Sequence, residues 1–271
     1  MLVVPWSMAP ISLPMGRDYP LQFAPYDMRS KKTAPPAQSQ WQLVIFDCDG
    51  VLVDSETIAH RALAQALNEL GMSLTLEDAF TLFRGNTTAQ SIAIIEERLG
   101  RKLAEDFFPV WRERLYELFR QTPVEPIEGV VETLDALTIP ACVVSNGTLR
   151  KMQTTLGVTG LLPRFEGRLF SADMGIAGKP APDLFLAAAK TLGAAPARTV
   201  VVEDSPTGVE GAIAAGMAVF GYAGEDYADP EELKAAGAHV FFDMHELPVL
   251  LAGGTTIVGA ALAAIPGKSR D

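Results

Sequence analysis

Hydrophobic residues are spaced in two ways along this chain, and the spacing marks where one architecture gives way to another. Short unbroken apolar runs occur at Leu43–Phe46, in ACVVS (141–145), TVVVED (199–204) and AVFGY (218–222), and more weakly in LFSA (169–172) and HVFF (239–242). Runs without polar alternation predict strands buried on both faces. Between Thr57 and Arg120 there is no such run. Apolar residues there recur three and four apart in HRALAQALNELG, LEDAFTLF, TAQSIAIIEERLG and AEDFFPVWRERLYELFR, with Gly71 and Gly100 closing two of the segments. That period predicts helices with glycine stops.

After Pro123-Val-Glu-Pro126 strands and helices alternate, the helices being GVVETLDAL, KMQTTLG, DLFLAAAKTLG, SPTGVEGAIAAG and PEELKAAG. Alternation predicts an α/β fold, a doubly wound parallel sheet of Rossmann-like type. The purely helical stretch is then an insertion, a helical-bundle cap. The expected division is a core domain at 41–55 and 125–251 and a cap domain at 56–124. Residues 1–40 read as a poorly ordered N-terminal extension and 252–271 as a C-terminal tail.

Ligands in such sheets bind at the carboxyl ends of strands, and four of those ends carry polar residues. The first is Asp47-Cys-Asp49-Gly50, which is either an acidic turn or a nucleophile or metal ligand with an acid/base partner. In Ser145-Asn146-Gly147-Thr148 the residues suit a helix cap, and equally an anion site built from hydroxyl and amide groups. Gly178-Lys179-Pro180 offers a lysine that is ordinary if solvated; its glycine spacing is too short for a P-loop. The fourth is Glu203-Asp204-Ser205-Pro206. Capping explains the Ser-Pro pair but not the two acids, which are placed to hold a hard cation through oxygen. Together these supply a carboxylate nucleophile, a hydroxyl, a lysine and metal-binding acids, the parts that phosphoryl transfer needs.

Composition narrows the partners. The 271 residues are 48% hydrophobic and 20% charged, as expected of a soluble globular protein. A net charge of −11 argues against a nucleic-acid partner, yet permits a small phosphorylated metabolite once a cation inverts the local field. No segment reaches the ~20 apolar residues of a membrane span. The N-terminal MLVVPWSMAPISLPMG has no basic n-region and no continuous apolar core, so it does not read as a signal peptide. Both cysteines, Cys48 and Cys142, lie in strand-like runs and read as buried thiols, which points to a reducing, cytoplasmic setting. A monomer or weak homodimer is expected.

The four motifs DCDGVLVDSE, VVSNG, GKPAPDLF and VVVEDSPTGVEGAIAAGM, in this order, resemble the haloacid dehalogenase superfamily over about Gln42 to Leu250. The likeness is to its subgroup with a helical cap after the first strand. By resemblance Asp47 is the nucleophile, forming an aspartyl-phosphate, and Asp49 the acid/base. Ser145 and Lys179 hold the phosphoryl group with Asn146 and Gly147. Asp47, Asp204 and the Asp49 carbonyl bind Mg²⁺, with Glu203 an added ligand or water-holder. Dehalogenases of the superfamily lack the second acid, so Asp49 implies a phosphatase. VVSNGTLRKMQTTLG is similar to 6-phosphogluconate phosphatase-like enzymes, which implies sugar or polyol phosphates as substrates. Within LFRGNTTAQS, Arg84, Asn86 and Thr87 are the expected cap contacts to substrate. β-Phosphoglucomutase-like isomerases remain an alternative. They carry an arginine where Thr88 stands and a histidine where Ala59 stands, next to His60. A non-catalytic binding protein on the same scaffold is a more remote one. Asp54 and Glu56 read as hinge or helix-start residues, with hinges near Ser55–Thr57 and Thr122–Pro126.

Overall fold

The computed structural model describes residues 40–84 and 86–253; the expected extension, apart from Gln40, and most of the expected tail lie outside them. Six strands form one parallel sheet: β1 (Leu43–Phe46), β2 (Ala141–Ser145), β3 (Leu169–Ser171), β4 (Thr199–Glu203), β5 (Ala218–Tyr222) and β6 (His239–Phe241). Their order is β3-β2-β1-β4-β5-β6. The chain builds outward from β1 in both directions, so β1 is where strand order reverses, the place where such sheets open a crevice for ligands.

Every residue of β1, β2, β4 and β5 is buried, which is why these runs do not alternate. Side chains still alternate between the two faces. Leu43, Ile45, Cys142, Val144, Val201 and Val219 point to one face, against Leu184 and Phe185 of α7 (Asp183–Thr191), Val209 of α8 (Pro206–Ala214) and Leu233 of α9 (Pro230–Ala235). On the other face Phe46 meets Phe165 edge-on, just beyond α6 (Leu149–Val158). Helices α5 (Val130–Ala136) and α10 (Leu247–Gly253) pack together, and the Thr133 hydroxyl of α5 donates at 2.7 Å to the carbonyl of Met244, in the short turn that leads into α10. α10 was not foreseen in the hydrophobic pattern.

Between β1 and β2 run α1 (Glu56–Glu69), α2 (Leu76–Phe83), α3 (Thr88–Leu99) and α4 (Phe107–Gln121). They close a second apolar cluster around Leu63, Leu67, Ala79, Phe83, Ile95 and Phe108. Local signals set their ends. Thr75 with Asp78, and Thr87 with Gln90, form reciprocal capping boxes at the starts of α2 and α3, and Gly100 takes a left-handed turn after α3. The two crossings into this insertion are tied to each other. Val53 pairs with Pro126, the Asp54 amide donates to the Glu125 carbonyl at 3.0 Å, and the Ile127 amide donates to the Leu52 carbonyl at 3.1 Å.

Candidate active site

Register decides which side chains meet. Phe46, the last residue of β1, is level with Val143 on one side and Val202 on the other, and from there β4 runs on to Glu203 and β2 to Ser145. Asp47 and Glu203 therefore emerge side by side, with Ser145 on the opposite flank. The Asp47 amide continues the ladder by donating to the Val202 carbonyl at 2.9 Å.

Lys179 arrives from the loop before α7 and is only 4% exposed. Its Nζ donates to Asp47 Oδ1 at 2.5 Å and to Glu203 Oε2 at 2.7 Å. Asn146 fixes the lysine from behind: its Nδ2 donates to the Lys179 carbonyl at 3.0 Å, and its Oδ1 accepts the Lys179 amide at 2.8 Å. Asn146 lines the cleft but spends its amide on placing Lys179. Ser145 Oγ accepts the Gly147 amide at 3.0 Å, which leaves the hydroxyl proton for an anion.

Asp47, Glu203 and Asp204 are buried, with one oxygen of each within 4.8 Å of the others. Three carboxylates at −1 and one ammonium at +1 leave −2, which one divalent cation would neutralise. Burial, opposed by Lys179 and reinforced by Glu203 and Asp49, pushes the Asp47 carboxyl up to about 8. Burial and the neighbouring acids also push Asp204 well above the usual carboxylate range. Such groups ionise at neutral pH only if more positive charge arrives. An all-oxygen donor set suits a hard cation. Two glycines leave room for the acids. A Cβ on Gly50, whose φ is +80°, would stand 2.4 Å from Asp204 Oδ2, and one on Gly208 would stand 2.0 Å from the Glu203 carboxyl carbon.

Asp49 points away from that cluster. Its Oδ1 accepts the Ser55 hydroxyl, and its Oδ2 lies 3.0 Å from Lys151 Nζ. Lys151 also reaches Glu56 at 3.7 Å, and Glu56 holds His60 Nδ1 at 3.1 Å. Burial opposes ionisation of Glu56, but His60, Lys151 and Arg84 prevail and bring its carboxyl down to about 2. Lys151, Glu56 and His60 all line the cleft, and none was assigned a role there from sequence.

Arg84 and Asn86 line the same cleft. Arg84 Nη1 donates to the Tyr227 carbonyl, and its guanidinium lies 6.0 Å from the Tyr227 ring centre. Asn86 donates to the Leu82 carbonyl at 2.9 Å. Thr87 is not among the lining residues; its hydroxyl caps α3, and Thr88 faces the cleft instead. A stack of His60, Phe80 and Tyr227, with ring centres 4.3 and 5.0 Å apart, joins α1 and α2 to the sheet unit.

Residues 41–216 match the family model described as haloacid dehalogenase-like hydrolase. The chain belongs to that family. Among curated relatives of this hydrolase, the 6-phosphogluconate phosphatase of Escherichia coli (strain K12) is 37% identical over 193 residues, covering 71% of this chain and 87% of its own. A haloacid dehalogenase-like protein from Agrobacterium tumefaciens str. C58 superposes with a TM-score of 0.68 at 36% identity, covering 79% of this chain and 98% of that one. A family hydrolase from Deinococcus radiodurans R1, solved with bound phosphate and sodium, gives 0.63 at 33% identity, covering 82% and 99%. The chain is a phosphatase of this family, a phosphoric monoester hydrolase. The family generally uses a divalent metal, and the buried acids provide a place for one. Among the described residues no helix is long and apolar enough to cross a membrane.

Proposed function

We propose that this phosphatase hydrolyses phosphate monoesters of small sugars or polyols, among them compounds of the 6-phosphogluconate type, with Mg²⁺. The observation that carries the reading is the meeting of Asp47, Lys179, Glu203 and Asp204 at the strand ends. Asp47, Asp204 and the Asp49 carbonyl would hold the cation, with Glu203 beside them. When bound, it offsets the charge of phosphate and nucleophile so that one anion can approach another.

In the first step a carboxylate oxygen of Asp47 bonds to phosphorus as the bond to the sugar oxygen breaks, and Asp49 gives that oxygen a proton. In the second, Asp49 takes a proton from water. The water oxygen bonds to phosphorus and the Asp47 carboxylate leaves. Lys179, the Ser145 hydroxyl and the Gly147 segment hold the phosphoryl oxygens throughout. Ser55 and Lys151 keep Asp49 aimed between leaving group and water. The helices α1–α4 act as a cap that closes about the paired crossings near Ser55–Thr57 and Thr122–Pro126 and excludes bulk water. The buried free thiols of Cys48 and Cys142 support a reducing, cytoplasmic setting, and we take the working unit to be a monomer or weak homodimer.

The test is phosphate release from a panel of sugar and polyol phosphates with Mg²⁺ and with EDTA. Release that stops with EDTA and in Asp47→Asn is expected. Release that persists in Asp47→Asn would overturn the mechanism. Conversion of a hexose 1-phosphate to its 6-phosphate without free phosphate would turn the reading toward a mutase.

A further inference from the structure

The roof of the cleft contains donors that the protein leaves unspent. Phe108, Trp111, Arg112, Leu115 and Tyr116 line it from one face of α4, at the three- and four-residue spacing of a helix. Arg112 Nη1 donates to the Thr88 hydroxyl at 3.2 Å, a neutral partner. Among the described residues no carboxylate lies within ion-pair distance of it. A guanidinium carries five N–H donors, so most of this half-buried cation's capacity is open. The neighbouring Trp111 indole Nε1 is buried with no hydrogen-bond partner among the described residues. Arg84 is the contrast, since its guanidinium is engaged by the Tyr227 carbonyl and ring.

The position of these donors sets what they can touch. One turn further along α4 the Tyr116 hydroxyl meets the Thr148 hydroxyl at 2.6 Å, and Thr148 follows directly on Ser145-Asn146-Gly147. Arg112 and Trp111 therefore stand about 6–8 Å further along the helix axis than the residue that touches the phosphate-binding loop. Asp47 and Ser145 line the same cleft as Arg112 and Trp111, so a sugar whose phosphate sits at the floor has these donors on the wall beside its far end.

We propose that Arg112, Trp111 and Thr88 form a subsite for a second anionic group, a carboxylate or a phosphate, at the far end of a phosphorylated sugar chain. This rests on Asp47 being the phosphoryl acceptor. A second anion completes the guanidinium and gives the indole N–H an acceptor. A neutral polyol end gives the cation no counter-charge, and a hydrogen bond to a charged group contributes more than one between neutral groups. The preferred substrates are thus anionic at both ends.

The experiment compares 6-phosphogluconate, fructose 1,6-bisphosphate and glucitol 6-phosphate, the last having a neutral far end. In the full chain with Mg²⁺, kcat/KM for at least one doubly anionic compound exceeds that for glucitol 6-phosphate by about tenfold or more. Arg112→Gln lowers this ratio about 10–100-fold. Arg112→Lys retains part of it, and Trp111→Phe lowers it several-fold. Which of the two doubly anionic compounds is preferred distinguishes carboxylate from phosphate. A wild-type ratio near one, or a ratio unchanged in Arg112→Gln, overturns the subsite while leaving the phosphatase reading intact. If the wild type releases phosphate from none of the three, that reading fails instead. The subsite is then read from calorimetric dissociation constants for the same compounds in wild type, Arg112→Lys and Arg112→Gln, where an unchanged ratio overturns it.

Discussion

The floor and the roof of the cleft handle polar groups in opposite ways. On the floor, Lys179 is shared between two carboxylates and held from behind by Asn146, and Asp49 is gripped by Ser55 and Lys151. On the roof, Arg112 has one neutral partner and Trp111 Nε1 has none among the described residues. Buried polar groups satisfied by the protein are rigid and ready for chemistry; those left open are completed by whatever binds. The floor is built for a reaction and the roof for a choice of substrate.

The largest expected effect breaks the floor. Asp47→Asn should lower phosphatase kcat by about 10⁴-fold or more, read by phosphate release. It should also raise the Tm of the metal-free chain. The folded carboxyl titrates near 8 because burial disfavours its charge, so the native state holds its proton over a range where the unfolded chain has lost it. Metal-free stability therefore falls as pH rises from about 4 toward 8, and Asp47→Asn removes that slope. A variant that loses activity and also melts lower would show the acid to be structural.

Next, Asn146→Ala separates placement from contact. It leaves Lys179 in the sequence but removes both bonds to its backbone. Kcat should fall about 10–100-fold while the chain stays folded in circular dichroism. An unchanged kcat would mean that the lysine needs no such support.

The seam between floor and roof is tested by pH. Glu56 is buried, and His60, Lys151 and Arg84 lower its carboxyl to about 2. A depressed carboxylate contributes stability that is full above its unfolded value and is lost as pH falls through the folded one. Urea midpoints should therefore drop between about pH 4.5 and 2, and Glu56→Gln should flatten the dependence in that window only. The smallest effect falls on the roof. Arg84→Gln removes the guanidinium that meets Tyr227, and kcat and KM should change together by several-fold, with little loss of Tm. A change in KM alone would reassign Arg84 to direct substrate contact.

The same floor–roof contrast governs what sequence could disclose. Strands β2 and β5 and helix α2 fall at the ends that their apolar letters mark, because burial on both faces or along one stripe writes itself locally. The floor was legible for a similar reason: each of its four motifs is contiguous, and three sit at strand ends that topology brings together. The fourth differs from expectation, because Lys179 lies in the loop between β3 and α7, well past the strand end, and reaches back to the others through its long side chain. Lys151 escaped notice because its approach to Asp49 depends on the direction taken by α6. Thr87 and Thr88 show how fine the margin is. Thr87-Thr-Ala-Gln90 is a capping-box spelling, so the first threonine serves the helix start and the second faces the cleft. Arg112 and Trp111 read as ordinary letters of an amphipathic helix. Which face of α4 looks inward is set by its packing against α1 and α6, and no local pattern records that rotation.

The paired crossings at Val53 and Pro126 have a consequence for how such a protein changes over generations. Residues opposed across an antiparallel bridge lie about 5 Å apart, so the four helices between them hang from a closed neck. The sheet unit meets the same boundary whether that neck holds a bundle or a tight turn. Lengthening a loop whose ends are already joined costs little chain entropy. The roof is in this sense an interchangeable fitting: recombination could exchange it at the neck, altering which molecules are admitted while the strand ends beneath keep their alignment.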